Sequence, residues 1–361
     1  MRGIAALVVL FHHYTHMFYP SLLTGTGVAA VVLSPFISGH ESVIYFFLLS
    51  GFVLSLPFLR GKNRPYPIFI RRRVLRIYGP YLAALALALA GCSLWHSQLG
   101  VSGWQAGTWS APVDLHSVIQ HLLFIGDYNY NRYNTAFWSL VYEMRISLIF
   151  PLLFLAANKL KARYTLLLIG ICTILGVHVG DHKFLVTFEY AGIFLVGILL
   201  AKNLEGLSER YKRLAPFQCG AFMLTSLLLY FGGRHLAGIG PLWHLGDMPV
   251  AIGAAGLLIV GLNSHSARRI LNSAAPAFLG RISYSLYLVH GTVLFSMTVL
   301  LMEKVSHPVF FLLYLPTAIV LSWGFYIAVE RPFTLWSRSV GRHKAAPSVD
   351  PAVAQVTHTS P

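Results

Sequence analysis

Long runs of apolar residues, separated by short polar or basic segments, repeat along most of the 361-residue chain. About 20 apolar residues are the length that an α-helix needs to cross the hydrocarbon core of a membrane. The pattern predicts ten transmembrane helices, several of them short or interrupted by Gly and Pro. The predicted spans are residues 3–19, 42–59, 74–95, 136–157, 164–180, 184–201, 214–232, 248–262, 283–302 and 308–330.

The segments between and after the spans complete the predicted architecture. Residues 96–135 form a loop that is too long for a simple connector, and its length predicts a short helix within it. After Pro332 the apolar periodicity stops, and residues 333–361 predict a basic cytoplasmic tail that is largely disordered. The fold class is therefore an all-α polytopic membrane protein, with one transmembrane domain over residues 1–332.

Composition and charge agree with this fold class and orient the chain. Hydrophobic residues make up 56% and charged residues 11%, whereas soluble domains carry about 25% charged residues. Of the 27 Lys and Arg residues, 22 fall in segments on the N-terminal side and only four on the opposite side. Cytoplasmic loops are enriched in Lys and Arg, so both termini are expected in the cytoplasm of a multi-pass protein in the inner or plasma membrane.

The net charge of +15 has a membrane explanation and requires no nucleic-acid partner. Basic residues on the cytoplasmic side face the anionic head groups of the inner leaflet. Cys92, Cys172 and Cys219 lie in apolar surroundings, and their spacing predicts neither a disulfide framework nor a metal site.

Ionisable side chains inside the predicted spans are costly and mark candidate functional sites. His13 lies near the middle of the first span, and Glu143 lies in the fourth, which runs the opposite way. The helix rise places the two groups at similar depth, as a His–carboxylate site requires. Each also has a structural interpretation: His13 can donate to a backbone carbonyl, and Glu143 can pair with Arg145 or with another helix.

His13 has two histidine neighbours, His12 and His16. Adjacent helical residues point about 100° apart, so His12 and His13 cannot serve one site together. His16 lies one turn closer to the membrane surface, where a ring costs less. His13 is therefore expected to be the essential ring of the three. Gly3 and Ala6, on a neighbouring stripe, are expected to let the first helix pack into the bundle.

Four arginines in FIRRRVLRIYGPYL, residues 69–82, lie at the cytoplasmic mouth of the third span. Positive residues here can simply anchor the topology. However, Arg73 and Arg76 are three residues apart and are expected to share a helix face at the edge of the apolar span. A planar guanidinium is well suited to holding phosphate, which predicts a site for a phosphate-rich cytoplasmic donor.

The ordered set of motifs resembles the membrane-bound acyltransferase family 3, which transfers acyl groups, usually acetyl, to hydroxyls of sugars and related acceptors. Arg2 and His13 are similar to the family's Arg, ten residues, His signature, and Arg73 and Arg76 to its Arg-x-x-Arg pair. The resemblance covers residues 2–332. Its other motifs are FFLLSGFVLS at 46–55, FWSLVYE at 137–143, ISYSLYLVH at 282–290 and ERP at 330–332.

The resemblance implies roles for individual residues. His13 and Glu143 would be catalytic, and acyl-CoA, with acetyl as the usual acyl group, would be the cytoplasmic co-substrate. Neither a permanently bound cofactor nor a metal is expected; the other partners are a carbohydrate or related hydroxyl acceptor and membrane lipid. Coenzyme A would be bound by Arg2, Arg73 and Arg76, and substrate-binding or supporting positions would be Ser50, Trp138, Ser139, Tyr284 and His290.

Two departures from the family pattern affect these expectations. The usual Asp two residues before the Phe-Phe pair is Ile44 here, which puts an acceptor role for that position in doubt. The helix continues Met-Arg-Ile after Glu143, so that Arg145 is expected to tune Glu143.

Direct transfer is the expected mechanism. Neutral His13 would take the proton of the acceptor hydroxyl as its oxygen attacks the thioester, while Glu143 steadies the imidazolium or holds the acceptor. An acyl-histidine intermediate or a serine nucleophile, Ser50 or Ser139, is the alternative. His290 is interpreted as a hydrogen bond between helices, and Ser50 as a small residue that permits close helix packing.

A transporter is the competing class of function. Ten spans, interrupted helices and buried ionisable groups also suit proton-coupled export of a sugar or lipid-linked compound. The chain shows no repeat of two halves, and the arginine pair lies at one mouth rather than at the membrane midplane. Both features favour the enzyme.

Overall fold

The computed structural model describes residues 1–24, 28–62, 65–96, 107–124, 126–178, 184–236 and 243–341. All regular elements within these residues are helical. In chain order they are α1 (Arg2–Phe18), α2 (Ser21–Thr24), α3 (Val28–Ile37), α4 (Gly39–Leu59), α5 (Tyr66–Arg73), α6 (Gly79–Trp95), α7 (Leu115–Leu123), α8 (Phe137–Lys159), α9 (Ala162–His178), α10 (Val186–Lys202), α11 (Leu204–Lys212), α12 (Pro216–Leu236), α13 (Asp247–Asn263), α14 (His265–Leu271), α15 (Ala274–Leu301), α16 (His307–Phe325) and α17 (Arg331–Ser339).

Each of the ten predicted spans falls on one of these helices, and α7 confirms the short helix predicted within residues 96–135. Among the described residues, five helical segments are long and apolar enough to cross a membrane, or up to seven if two bent pairs each count as one span. The all-α membrane class is therefore confirmed, whereas ten crossings and the orientation of the termini remain predictions. The five segments are Gly39–Leu59, Tyr66–Trp95, Phe137–Lys159, Ala274–Leu301 and His307–Ser339.

Small residues let the central helices approach closely. A Cβ added to Gly3 would overlap the α15 backbone at Leu279 and Gly280, and Ala6 is fully buried, as the sequence predicted. A Cβ on Gly51 of α4 would likewise overlap the backbone of Phe194 in α10. These contacts place α1 against α15 and α4 against α10, and they fix which helix faces meet.

Two π-helical turns interrupt the bundle, one at Val74–Tyr78 between α5 and α6 and one at Tyr326–Glu330 between α16 and α17. A proline follows each turn, Pro80 in one case and Pro332 in the other. Proline lacks an N–H and its ring crowds the carbonyl four residues earlier, so a wider turn relieves the clash. Arg76 therefore lies in a π-helical turn rather than on the regular α-helical face that the sequence suggested.

The C-terminal helix α17 docks against α5. The Arg72 guanidinium donates to the carbonyls of Val340, at 2.6 and 2.9 Å, and of Arg338, at 2.9 Å. In return the Ser337 hydroxyl donates to the Arg72 carbonyl at 3.0 Å. The first residues assigned by sequence to the tail are thus helical as far as Ser339, while residues 342–361 lie outside the described part of the chain.

Candidate functional site

A cavity lies between α1, α4, α5, α8, α15 and the two π-helical turns. Its lining on α4 reaches from Val43 to Leu54, which corresponds to ~16 Å along the helix axis. The cavity is thus elongated, with a mixed polar and apolar wall. We call it the donor cavity, after the phosphate-rich donor that the sequence predicts at its arginines. It is lined by Arg2, Val43, Phe46, Phe47, Leu49, Ser50, Val53, Leu54, Arg73, Arg76, Ile77, Ser139, Leu140, Glu143, Ser283, Tyr284, Tyr287 and Glu330.

Three arginines and two carboxylates lie in this wall. Arg73 is buried and donates to Glu143 Oε1 at 3.1 Å and to the Ser147 hydroxyl at 2.8 and 3.2 Å. Arg2 and Arg76 are exposed, and neither donates a hydrogen bond to another residue in the described part of the chain. Arg73 is thus fixed in orientation, whereas the other two guanidinium groups keep their donors for a ligand.

The donor cavity holds most of the residues that the sequence singled out. Besides the three arginines and Glu143, it includes Ser50, Ser139 and Tyr284. The Ser50 hydroxyl donates to Glu143 at 3.1 Å, and the Tyr284 hydroxyl donates to the carbonyl of Ile77 at 2.8 Å. The structure therefore brings these positions from five separate motifs to one surface.

His13 and His290 form a separate pair next to this cavity. Both rings are buried, and His13 Nδ1 lies 2.7 Å from His290 Nε2. Tyr287, one turn before His290 on α15, lines the donor cavity, and its ring centroid is 6.0 Å from that of His290. The Tyr287 hydroxyl lies 2.6 Å from the Ser139 hydroxyl. Tyr287 thus lies between the donor cavity and the histidine pair, and Ser139 is its hydrogen-bond partner on α8.

The other two histidines of α1 have different surroundings. The His12 ring donates from Nδ1 to the carbonyl of Ile37 at 2.7 Å, and Gly39 leaves room for it because a Cβ there would overlap the ring. The His16 ring packs edge-on against His12, with centroids 5.8 Å apart. Of the three rings in this sequence cluster, His13 is the one that hydrogen bonds to His290.

Glu143 pairs with neighbouring helices, which was one of the interpretations of the sequence, and not with His13 or Arg145. It bonds to Arg73 and Ser50, while His13 bonds to His290, so the expected His13–Glu143 pair does not form. The predicted link between Arg145 and Glu143 is also absent, since the Arg145 guanidinium donates to the carbonyls of Phe124 and Gly126 and to the Tyr130 hydroxyl. The sequence gives the depth of a residue in the bundle but not the rotation of its helix about the helix axis. Contacts depend on that rotation, because it decides which helix faces meet.

Trp138 lies outside the donor cavity. Its ring stacks on the His40 ring, with centroids 6.0 Å apart and planes 8° from parallel, and it contacts Tyr142 and Tyr190. Trp138 therefore belongs to an aromatic cluster at the end of the bundle where α8 begins, and a role in holding the donor does not follow from its position.

Sequence reasoning missed Glu330 and Tyr287 as site residues. Glu330 lines the donor cavity and accepts hydrogen bonds from the backbone N–H and hydroxyl of Ser285, at 3.0 and 2.5 Å. Signals were present for both: Glu330 is an acid at the end of a long apolar run, and Tyr287 lies one helical turn before His290.

A second polar cluster, also missed, lies where α4, α10 and α13 begin and α12 ends. Asp247 is fully buried, and both of its carboxylate oxygens lie 2.9 Å from His40 Nε2. Arg234 Nε is 3.8 Å from the same carboxylate, and Glu189 is fully buried beside it. We call these four residues the Asp247 cluster. Within the described ranges, no group of three or more His, Cys, Asp or Glu has a metal-binding arrangement.

Comparisons with known proteins show the family of the chain. The sequence model of a family described as "Acyltransferase domain" matches residues 1–327. The chain is also similar to the O-acetyltransferase PaAT-1 of Phomopsis amygdali, with 25% identity over 364 aligned residues. The alignment covers 81% of this chain and 71% of that protein. No solved structure matches the chain.

Proposed function

The chain belongs to the acyltransferase family whose domain matches residues 1–327, and from this premise we propose that it transfers an acetyl group from cytoplasmic acetyl-CoA to a hydroxyl of a carbohydrate or related acceptor. The family and the related O-acetyltransferase establish a membrane O-acyltransferase. The donor cavity, with three arginines at an elongated opening, is the observation that supports acyl-CoA as the donor.

The donor cavity suits coenzyme A in charge and in shape. Guanidinium groups form strong charge-assisted bonds to phosphate oxygens, and Arg2 and Arg76 have donors to offer. Arg73 is held by Glu143 and Ser147, so its orientation is set before a ligand arrives. The apolar wall beyond the arginines suits the slender pantetheine arm, which would carry the thioester toward Ser139 and Tyr287.

His13 is the proposed base. It lies in the bundle interior, and its partner His290 is one helical turn from Tyr287 of the donor cavity. Its ring would take the proton of the acceptor hydroxyl as the oxygen forms a bond to the thioester carbon. The carbon–sulfur bond then breaks, and the coenzyme A thiolate receives that proton, so the products are the acetyl ester and free coenzyme A.

The same considerations favour an enzyme over an exporter. A family of acyltransferases and an O-acetyltransferase relative both point to group transfer. The three arginines line a single cavity, which suits the binding of a phosphate-rich donor. We place the protein in the inner or plasma membrane with both termini in the cytoplasm, on the basis of its basic segments.

Turnover by the purified protein tests the proposed function. Protein in lipid nanodiscs would be given acetyl-CoA and a set of carbohydrate and lipid-linked hydroxyl acceptors, while thiol release and acetylated products are measured. We expect the wild type to release thiol with a matching acetyl ester, and His13→Gln to release none. His12→Gln, the same substitution at the adjacent position, is the matched control and should retain turnover. A wild-type protein that moves an acceptor across the bilayer while the thioester stays intact would instead support the exporter.

A further inference from the structure

The two buried histidines meet edge to edge. Their ring planes are only 9° from parallel and their centroids are 4.9 Å apart. Atoms of rings that stack face to face stay about 3.5 Å or more apart, because that is the optimal separation between non-bonded carbons. The 2.7 Å distance between His13 Nδ1 and His290 Nε2 is shorter than this and falls in the hydrogen-bond range. The two rings are therefore joined by an N–H···N hydrogen bond.

The partner of His290 on its own helix assigns the protons. His290 Nδ1 lies 2.9 Å from the carbonyl oxygen of Leu286, which can only accept, so Nδ1 carries the hydrogen. A neutral imidazole has one N–H, which makes His290 Nε2 an acceptor. His13 Nδ1 must then be the donor in the bond between the rings. In neutral His13, the nitrogen that can accept a proton is therefore Nε2.

From this chain of bonds we infer that His290 is a positioning residue that holds His13 in the Nδ1–H tautomer, with Nε2 as the basic atom. The inference rests on the proposed function in one respect, namely that His13 is the base of the transfer. Orientation of a catalytic imidazole by an acceptor on its other nitrogen is a general device, filled by a carboxylate in serine proteases. Here an uncharged imidazole fills that position, and the Leu286 carbonyl orients it in turn.

An uncharged acceptor fits both states of the reaction. When Nε2 of His13 takes the proton of the acceptor hydroxyl, Nδ1 still donates to His290, so the imidazolium keeps its hydrogen bond. When the coenzyme A thiolate takes that proton, the pair returns to its starting state with no net change. His290 itself gains and loses no proton in this cycle. The Tyr314 hydroxyl, 3.3 Å from the His290 carbonyl, connects α16 to the same turn of α15.

Substitutions at position 290 separate orientation from packing. His290→Leu keeps a side chain of similar size but removes the acceptor, and we expect kcat to fall by about 10²–10⁴-fold, the usual contribution of a positioned general base. His290→Gln can offer an amide oxygen at the end of its side chain and should recover part of this loss. Affinity for acetyl-CoA should be unchanged in both variants, because His290 does not line the donor cavity. Equal kcat values for the wild type and His290→Leu would overturn the inference.

A spectroscopic readout tests the same inference without turnover. Solid-state ¹⁵N NMR of histidine-labelled protein in lipid distinguishes protonated from unprotonated ring nitrogens, and the His13 signals are those missing in His13→Gln. We expect wild-type His13 to carry its proton on Nδ1, bonded to His290 Nε2. An Nε2-protonated His13 in active protein would overturn the inference and leave the proposed function standing. An Nδ1-protonated His13 in protein that never releases thiol would support the pair and count against the proposed function.

Discussion

The donor cavity and the Asp247 cluster use the same residue types in different surroundings. In the first, Arg73 on α5 bonds to Glu143 on α8 at 3.1 Å, and the Glu143 side chain keeps 21% of its exposure. In the second, Asp247 at the start of α13 bonds to His40 on α4 at 2.9 Å, and the Asp247 side chain is completely buried. Arg73 and Glu143 line a cavity where a ligand can compete for the guanidinium, whereas the Asp247 carboxylate is completely buried and its contacts with His40 and Arg234 hold helices together.

The energetics of the two regions should differ accordingly. Removing one partner of an enclosed pair leaves a buried charge without compensation and costs about 3–5 kcal/mol. An exposed pair contributes about 0–1 kcal/mol, and the partly buried Arg73–Glu143 pair, which faces a cavity, should fall between these two limits. The Asp247 cluster should therefore control folding stability, and the donor cavity should control ligand binding.

The largest expected effect is on stability, at Asp247. Asp247→Ala should lower the free energy of unfolding by about 3–5 kcal/mol, because His40 and Arg234 lose their shared carboxylate. Reversible unfolding in mixed micelles with increasing SDS would measure the change. Asp247→Asn is the matched control, since it keeps an acceptor for His40 and should lose less. An Asp247→Ala protein with wild-type stability and no turnover would show that the cluster acts on substrate instead.

The next largest effect is on donor binding, at the cavity arginines. Loss of one charge-assisted phosphate contact costs about 1.5–3 kcal/mol, or roughly 10- to 150-fold in affinity. We expect Arg73→Gln and Arg76→Gln to raise the KM for acetyl-CoA by this factor, with a smaller loss of stability than Asp247→Ala. Arg72→Gln is the matched control, because Arg72 binds the carbonyls of residues 338 and 340 rather than the cavity. An equal rise in KM for Arg72→Gln would mean that the arginines act through general charge or topology.

The smallest effect is expected at Ser50. Its hydroxyl donates to Glu143 at 3.1 Å, and a hydrogen bond of this kind contributes about 1 kcal/mol, so Ser50→Ala should retain turnover within about fivefold. Initial rates of thiol release would measure this. The serine-nucleophile alternative requires the opposite result, a complete loss of turnover and an acetylated Ser50 peptide in rapidly quenched wild-type protein.

Much of the architecture was predictable because apolar run length directly reports helices in a membrane. Within the described residues each of the ten runs coincides with helix, and α7 was expected from the length of its loop. The π-helical turns were not predicted, although Pro80 and Pro332 carry the physical signal for them. Membrane crossings are harder to count, since several helices are short or bent and their length alone does not decide whether they span.

Many residues that line the cavity were singled out from the sequence, but their contacts with one another were not predicted. His13 was separated from His12 by helix geometry alone, and Arg2, Arg73 and Arg76 do meet at one cavity. The partner of His13 was predicted as Glu143 and is His290, because sequence gives the depth of a residue and not the rotation of its helix. The Asp247 cluster was missed for a related reason: its members lie near the ends of four helices that only the fold brings together.

Equilibrium binding of acetyl-CoA to His13→Gln tests most directly the central claim, that donor binding and proton transfer belong to separate, adjacent sites. His13 is absent from the lining of the donor cavity, and the three arginines are unchanged in this variant. We predict that His13→Gln binds acetyl-CoA with wild-type affinity while releasing no thiol. Loss of acetyl-CoA binding in a folded His13→Gln protein, or wild-type turnover by it, would contradict the account.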